Sequence, residues 1–153
     1  MKINKYFLTG VKDAYPIMLG YIPIGLAFGV LASSTGISPL GVLFISLILF
    51  AGSAQFITVS MLASLANGIS IITTIFIVNF RHFLMSSAYS KYFKEEKLSS
   101  LAFLSFFVTD ESFAVGINKA KYQNEDFNKS YLLGVELSGY ITWAIFTTLG
   151  ALI

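Results

Sequence analysis

The stretch "IFIVNFRHFLMSSAYS", residues 75–90, places Arg81 and His82 side by side in a run that is otherwise apolar or uncharged. Before Arg81 the previous charged residue is Asp13, so residues 14–80 form an uncharged run of 67 positions. Because a bilayer span needs about 20 apolar residues, this run could supply about three spans. The stretch therefore predicts a membrane protein that has to accommodate a charge within its apolar part.

The composition agrees with a membrane protein. Of the 153 residues, 56% are hydrophobic and only 12% are charged, whereas a soluble domain carries about 25% charged residues. The net charge of +2 and the lack of a basic cluster argue against nucleic-acid binding. Cysteine is absent and there is one histidine, so we predict no disulfide, no metal site and no cofactor.

We predict an all-α polytopic membrane protein with about five membrane segments in a single transmembrane domain, residues 1–153. The segments are residues 14–33, 39–64, 69–90, 98–118 and 131–153. Residues 1–13, with Lys2, Lys5 and Lys12, are predicted to be a cytoplasmic lead-in. The last segment ends without a polar anchor, so we expect a C-terminally truncated chain that lacks further spans.

Charge counting leaves the topology of the second half open. The loops 91–97 and 119–130 each contain three lysines and two acids. They lie on opposite sides of the membrane if segment 98–118 crosses fully. The polar sequence "VTDES" at the centre of that segment offers a point where the chain could turn back instead.

Two further segments carry signs of interruption. The first contains "LGYIPIGLAFG" (19–29), for which we predict a real break around Pro23, because proline removes a helical hydrogen bond. Gly25 and Gly29 form a GxxxG pair, which is typical of close helix packing. The second contains "FAGSAQF" (50–56), for which we predict a departure from regular helix near residues 51–55. Discontinuous helices are typical of secondary transporters, whose half-helix ends bind substrate.

Depth identifies the charged candidates. Arg81 lies ten residues before Lys91, so about 15 Å deeper and near the middle of a core about 30 Å thick. Asp110 and Glu111 lie at similar depth in the fourth segment, and Glu136 lies in the last. Because a mid-bilayer arginine needs a partner inside the protein, we predict that Arg81 pairs with Asp110 or Glu111.

Three acids, an arginine and a histidine at membrane depth predict a substrate or proton pathway. Arg81 would hold its own partner ionised, so the proton carrier should be an acid that Arg81 does not engage. Glu111 is the first choice, followed by Asp110 and Glu136. His82 is a candidate relay, although a hydrogen-bonded interior histidine is the plainer alternative.

Four motifs, "LGYIPIGLAFG", "AGSAQF", "NFRH" and "TDESFA", resemble the AzlC family in order and spacing. That family comprises the large subunits of bacterial branched-chain amino acid exporters. The resemblance runs from about Lys12 to the end of the chain. It implies export of leucine, isoleucine and valine, with methionine as a further candidate, across the bacterial cytoplasmic membrane. It also implies a secondary gradient as energy source and a small hydrophobic AzlD-type partner subunit.

A zwitterionic substrate needs a place for its carboxylate and one for its ammonium. Half-helix N-termini near the breaks could take the carboxylate, while Asp110 or Glu111 could take the ammonium or a proton. The candidate substrate-binding residues are Pro23, Gly52, Ser53, Gln55 and Asn79. The main alternative is a channel-like or accessory membrane subunit whose polar cluster is structural, with oligomerisation left open. An intramembrane hydrolase is a more distant alternative, and we predict no enzymatic activity.

Overall fold

The structure, a computed structural model, describes residues 4–122 and 127–153. These residues form eight α-helices and no strand, which confirms the all-α prediction. The helices are α1 (Lys5–Asp13), α2 (Tyr15–Ser34), α3 (Pro39–Ile48), α4 (Gly52–Ala63), α5 (Gly68–Ser90), α6 (Leu98–Phe107), α7 (Asp110–Tyr122) and α8 (Lys129–Gly150).

The chain divides into two compact units. Unit 1 contains Met1–Leu19 and His82–Ile141, and unit 2 contains Gly20–Arg81 and Thr142–Ile153. The single domain over residues 1–153 stays a prediction.

Three of the five predicted membrane segments are continuous helices. They correspond to α2, α5 and α8, which are long and apolar enough to cross a membrane. The other two are broken into pairs of shorter apolar helices, α3 with α4 and α6 with α7. Discontinuous membrane segments are therefore confirmed, although the breaks lie in the second and fourth segments only.

The predicted break around Pro23 is wrong. Helix α2 continues through Pro23 from Tyr15 to Ser34. Proline removes one backbone donor, but packing in membrane proteins compensates for such a loss where neighbouring helices support the backbone. Gly25 and Gly29, which follow Pro23 in the same helix, lie directly against α8.

Close packing between α2 and α8 confirms the GxxxG prediction. A Cβ at Gly25 would lie 3.2 Å from Phe146 and 3.3 Å from the Thr147 backbone nitrogen. A Cβ at Gly29 would overlap the Thr147 carbonyl and the Gly150 backbone. Both helices run in the same direction, since the later glycine of α2 meets the later residues of α8. Backbone contact of this kind requires glycine at the crossing.

In unit 1, the α6–α7 segment turns back towards the end from which it starts. Glu96, just before α6, forms an ion pair of 2.6 Å with Lys129 at the start of α8. Phe107, at the end of α6, packs further along α8 against Tyr140, with ring centroids 5.0 Å apart. Helix α7 then returns, because Lys119 lies over the ring of Tyr131, 5.2 Å from its centroid.

This path brings both ends of segment 98–118 to the same end of unit 1. Segment 91–97 and the start of α8 lie at the same end of unit 1, and Asn4 joins them through a 3.1 Å hydrogen bond to Ser130. With ten residues, α6 is about 15 Å long, which is half of a core about 30 Å thick. Segment 98–118 therefore enters and leaves at one end. Residues 123–126 of the loop 119–130 lie outside the described residues.

In unit 2, the α3–α4 segment makes a similar turn. Ser38 caps the start of α3 by accepting a hydrogen bond from the Gly41 N–H, and Pro39 suits the first helical position. Ser46 then meets Thr147 of α8 at 2.9 Å, and Gly52 lies against the Trp143 ring. Phe56, in the next turn of α4, packs against Phe28 of α2, with ring centroids 5.2 Å apart. The first turn of α4 therefore heads back towards the C-terminal end of α8.

Candidate functional site

The helix break in unit 2 covers residues 49–51, at the N-terminal edge of the predicted range, and regular helix resumes at Gly52. Gln55 bridges the break, because its Nε2 donates to the carbonyl oxygen of Leu49 at 2.5 Å. Its Oε1 accepts a 2.8 Å hydrogen bond from Trp143 Nε1. Gln55 is fully buried and its amide is engaged by the protein. We therefore assign it a structural role and remove it from the candidate substrate ligands.

The start of α4 is electropositive. Its N-cap residue is Ala51, and no side chain of the described residues caps the first turn, so the N–H groups of that turn present the positive end of the helix dipole. Arg81 of α5 donates from Nη2 to the hydroxyl of Ser53 at 2.6 Å. A guanidinium is thus placed beside a helix N-terminus, and both are donors suited to an anion.

The start of α7, in unit 1, has the opposite character. The Thr109 N–H donates to Ser112 Oγ at 2.8 Å, and the Ser112 N–H donates to Thr109 Oγ1 at 3.3 Å. This reciprocal pair is a capping box, which explains why the helix begins at Asp110. Asp110 and Glu111 supply negative charge to the first turn. Because its N-terminus is capped and acidic, α7 is a poor site for a carboxylate and α4 is the better one.

The three acids differ sharply in burial. Asp110 and Glu111 have exposed side chains, whereas Glu136 is 1% exposed. Neither carboxylate oxygen of Glu136 has a hydrogen-bond partner among the described residues. The pairing of Arg81 with Asp110 or Glu111 stays a prediction.

Glu136 is a buried neighbour of Tyr89 of α5 in unit 1, within electrostatic range of it. The Tyr89 hydroxyl donates to the carbonyls of Ser112 and Phe113 at 3.3 Å each. Gly116 gives this hydroxyl room, since a Cβ there would overlap it. Tyr89 therefore links the environment of the buried carboxyl to the first turn of α7.

The remaining candidates lie apart from these features. Asn79 and His82 are half-buried in α5, and the buried Asn79 Oδ1 accepts no hydrogen bond from the described residues. Pro23 is exposed in continuous helix, so the break that made it a candidate is absent. Residues 4–122 and 127–153 contain no group of His, Cys, Asp and Glu that could hold a metal.

Sequence reasoning missed Trp143 and the Ser46–Thr147 contact. Trp143 is the one tryptophan of the chain, and it lies in the middle of a predicted span. Tryptophan usually marks the ends of spans, so its central position was an available signal for a hydrogen-bonding role. No signal in the sequence connects Ser46 to a residue 101 positions away.

The curated proteins to which this chain is similar are membrane proteins, and one of them is named as an amino acid transport protein. The chain is 34% identical to the inner membrane protein YgaZ of Escherichia coli (strain K12) over 146 residues, covering 95% of this chain and 60% of that protein. It is 36% identical to an uncharacterized membrane protein of Archaeoglobus fulgidus, covering 95% and 62%. It is 28% identical to the branched-chain amino acid transport protein AzlC of Bacillus subtilis (strain 168), covering 95% and 57%. No solved structure matches the chain.

The chain thus spans about three-fifths of the length of these curated relatives. The family model described as AzlC protein matches residues 16–153, which include every helix from α3 to α8 and all but the first residue of α2. On this match, the chain is a member of the AzlC protein family.

Proposed function

We propose that this protein is a membrane subunit of a secondary transporter that exports branched-chain amino acids, and that it is not an enzyme. The observation that carries the proposal is the contact of Arg81 with Ser53 at the start of α4. Support for the substrate class comes from the amino acid transport relative of Bacillus subtilis.

The α-carboxylate of the substrate is the anion that this site would take. The N–H groups at the start of α4 would donate to one carboxylate oxygen, and the Arg81 guanidinium to the other. A guanidinium has five N–H donors, so its bond to Ser53 leaves donors for a ligand and for the acid that we predict as its partner.

Uptake and efflux of labelled leucine in proteoliposomes test this site. Ser53→Ala and Arg81→Lys should each raise the KM for leucine, because each removes a hydrogen bond near the carboxylate. A bond to a charged group contributes about 1.5–3 kcal/mol, which corresponds to a rise of roughly tenfold or more. Ser60→Ala, an exposed serine two turns later in the same helix, is the control and should leave KM unchanged.

Leucinol, which keeps the alkyl group and amine but lacks the carboxylate, separates a carboxylate site from a general loss of fold. Wild-type protein should exclude leucinol as a competitor, and the two variants should lose part of that discrimination. A leucinol preference that is the same in wild type and both variants would show that the carboxylate binds elsewhere.

We propose that protons couple to transport and that Glu136, the last of the three sequence-based choices, is the carrier. A buried carboxylate without a partner is costly, so the neutral, protonated form suits the environment of Glu136. Loss of that proton requires the surroundings to change, and such a requirement is what couples a proton to a conformational step. Tyr89 is placed to transmit the change to the start of α7.

We propose that the protein lies in a bacterial cytoplasmic membrane with its N-terminus on the cytoplasmic side. Support comes from the common end of unit 1 formed by α1, segment 91–97 and the start of α8. Eight of the nine lysines lie on these parts or on the last turn of α7: Lys5, Lys12, Lys91, Lys94, Lys97, Lys119, Lys121 and Lys129. An excess of lysine favours the cytoplasmic side.

We propose that a small hydrophobic AzlD-type subunit covers α5. Only 6% of the most apolar window of α5 is buried, against 33% for α2 and 44% for α8. Its exposed apolar side chains include Ile72, Phe76 and Phe83, and Asn79, Arg81 and His82 are only half-buried. Because polar groups at mid-bilayer are costly in lipid, protein is the better cover. Co-purification that is lost in a Phe76→Ala, Phe83→Ala double variant would support this partner surface.

A further inference from the structure

A cavity of about 540 Å³ lies in unit 1, between the end of α1, the start of α2, the last turns of α7 and the start of α8. Its volume falls in the range of small-molecule sites. All of its lining residues belong to unit 1. Neither transport of the substrate nor proton coupling, as proposed above, uses any of its residues.

Three residues that contact one another, Asp13, Lys119 and Tyr131, form the charged wall of the cavity. Asp13 accepts a 2.9 Å hydrogen bond from the Tyr131 hydroxyl and lies 3.7 Å from Lys119 Nζ. Lys119 also lies over the Tyr131 ring, and its side chain is only 12% exposed. The carboxylate of Asp13 is therefore already satisfied by donors of the protein.

The lining carries net positive charge. Lys12 lies on the rim, is exposed, and forms no ion pair with the described residues. Two lysines and one aspartate leave a charge of +1 among the described lining residues, and Asn118 and Tyr122 add neutral donors. A ligand with a single negative charge complements this lining.

The position of the cavity indicates the source of that ligand. It lies at the end of unit 1 where the lysines gather, beside Tyr15 and Tyr122, which are 59% and 71% exposed. Exposed tyrosines of this kind mark the level of lipid headgroups, and basic pockets between membrane helices on the cytoplasmic side bind anionic headgroups. Only Pro16 and Val115 of the eight lining residues are apolar, which is a poor match to the alkyl group of leucine.

We propose that this cavity binds the phosphodiester headgroup of an anionic phospholipid. Lys12 and Lys119 would face the phosphate oxygens, and Asn118 and Tyr122 would donate to the phosphate or the glycerol. Helix α1 forms one wall of the cavity. It packs closely on α8, because a Cβ at Gly10 would overlap the Tyr131 carbonyl of α8. The site would tie the N-terminal helix and the re-entrant α7 to one leaflet.

Thermal unfolding of the full chain in detergent, titrated with phosphatidylglycerol or with phosphatidylcholine of the same acyl chains, tests the proposal. Phosphatidylglycerol should raise the unfolding temperature of the wild type and phosphatidylcholine should not. Lys12→Gln should raise the half-saturating phosphatidylglycerol concentration about fivefold, as expected for one lysine near a headgroup. Asn118→Ala should raise it as well, and Lys5→Gln, which changes the same charge on the same helix outside the cavity, should not.

Two further arms identify the ligand. Inorganic phosphate, added in place of lipid, should leave the unfolding temperature of all variants unchanged, and any stabilisation by leucine at the start of α4 should be the same in the wild type and in Lys12→Gln. The proposal is overturned if the two lipids act alike, or if Lys12→Gln and Lys5→Gln behave alike. It is also overturned if inorganic phosphate or leucine gives a stabilisation that Lys12→Gln removes. None of these readouts depends on transport.

Discussion

Gln55 and Trp143 are joined by a 2.8 Å hydrogen bond between two fully or nearly fully buried side chains of unit 2. Through the same amide, Gln55 satisfies the Leu49 carbonyl at the break between α3 and α4. One side chain thus satisfies the backbone freed by the break and fixes the break against α8. This arrangement permits a non-helical turn inside apolar surroundings, where an unsatisfied backbone group is costly.

Gln55→Met should lower the free energy of unfolding by at least about 1–3 kcal/mol, because it leaves the Leu49 carbonyl and the Trp143 indole N–H buried without these partners. Thermal unfolding in detergent measures the loss. Ser60→Ala in the same helix is the control and should change it little, since Ser60 is exposed. An unchanged unfolding temperature in Gln55→Met would show that the break does not depend on this bridge.

Two glycine-to-alanine changes in α2 should act with opposite signs. Gly29→Ala should destabilise by about 1–3 kcal/mol, because its Cβ would overlap α8 and force the helices apart. Gly20→Ala should stabilise by up to about 1 kcal/mol, because alanine favours helix and a Cβ there meets nothing within 4 Å. The unfolding temperatures of both variants, compared with that of the wild type, show whether the two shifts have opposite signs. Equal shifts would mean that α2 does not pack on α8 as described.

Single cysteines test the re-entrant path of α6 and α7. The chain has no cysteine, so no background labelling needs to be removed. Lys94→Cys and Lys121→Cys should react with a membrane-impermeant maleimide from the same side. Ala63→Cys should react from the other side, because the continuous helix α5 separates it from Lys94. Labelling of Lys94→Cys and Lys121→Cys from opposite sides would mean that segment 98–118 crosses the membrane.

The predicted pairing of Arg81 with Asp110 or Glu111 can be measured by double-mutant cycles of stability. Removing one member of a charged pair leaves the other without its partner, so each single replacement should destabilise the protein. We expect Arg81→Gln to be less damaging when the paired acid is also replaced by its amide. Coupling near zero with both Asp110→Asn and Glu111→Gln would exclude both partners.

Glu136→Gln should abolish the response of leucine transport to a pH gradient while substrate exchange stays measurable. The amide mimics the protonated acid in shape but cannot release a proton, so it should favour the exchange mode at every pH. Transport in proteoliposomes with the pH gradient reversed at a fixed leucine gradient measures this. Asp110→Asn and Glu111→Gln are the matched comparisons. A wild-type response in all three variants would end the proton hypothesis and make these acids structural.

The sequence by itself determined the membrane class and the helical segments of this protein. Both depend on local properties, since apolar runs must pair their backbone groups within each segment when no water is present. The polar interruptions "FAGSAQF" and "VTDES" marked both helix breaks for the same reason. The GxxxG pair also predicted a backbone contact correctly, because glycine is needed wherever two helices touch closely.

Only the tertiary structure decided which of the polar or proline-containing stretches break a helix, and which charged side chains are buried or in contact with a partner. Pro23 looked like a break, but α2 is continuous through it and packs on α8 at Gly25 and Gly29. The acid that is buried is Glu136, whereas Asp110 and Glu111 are exposed. Burial and partners depend on residues far apart in the chain, such as Gln55 and Trp143 or Asp13 and Tyr131. Periodicity and depth along one segment contain no information about those contacts, so the structure had to supply it.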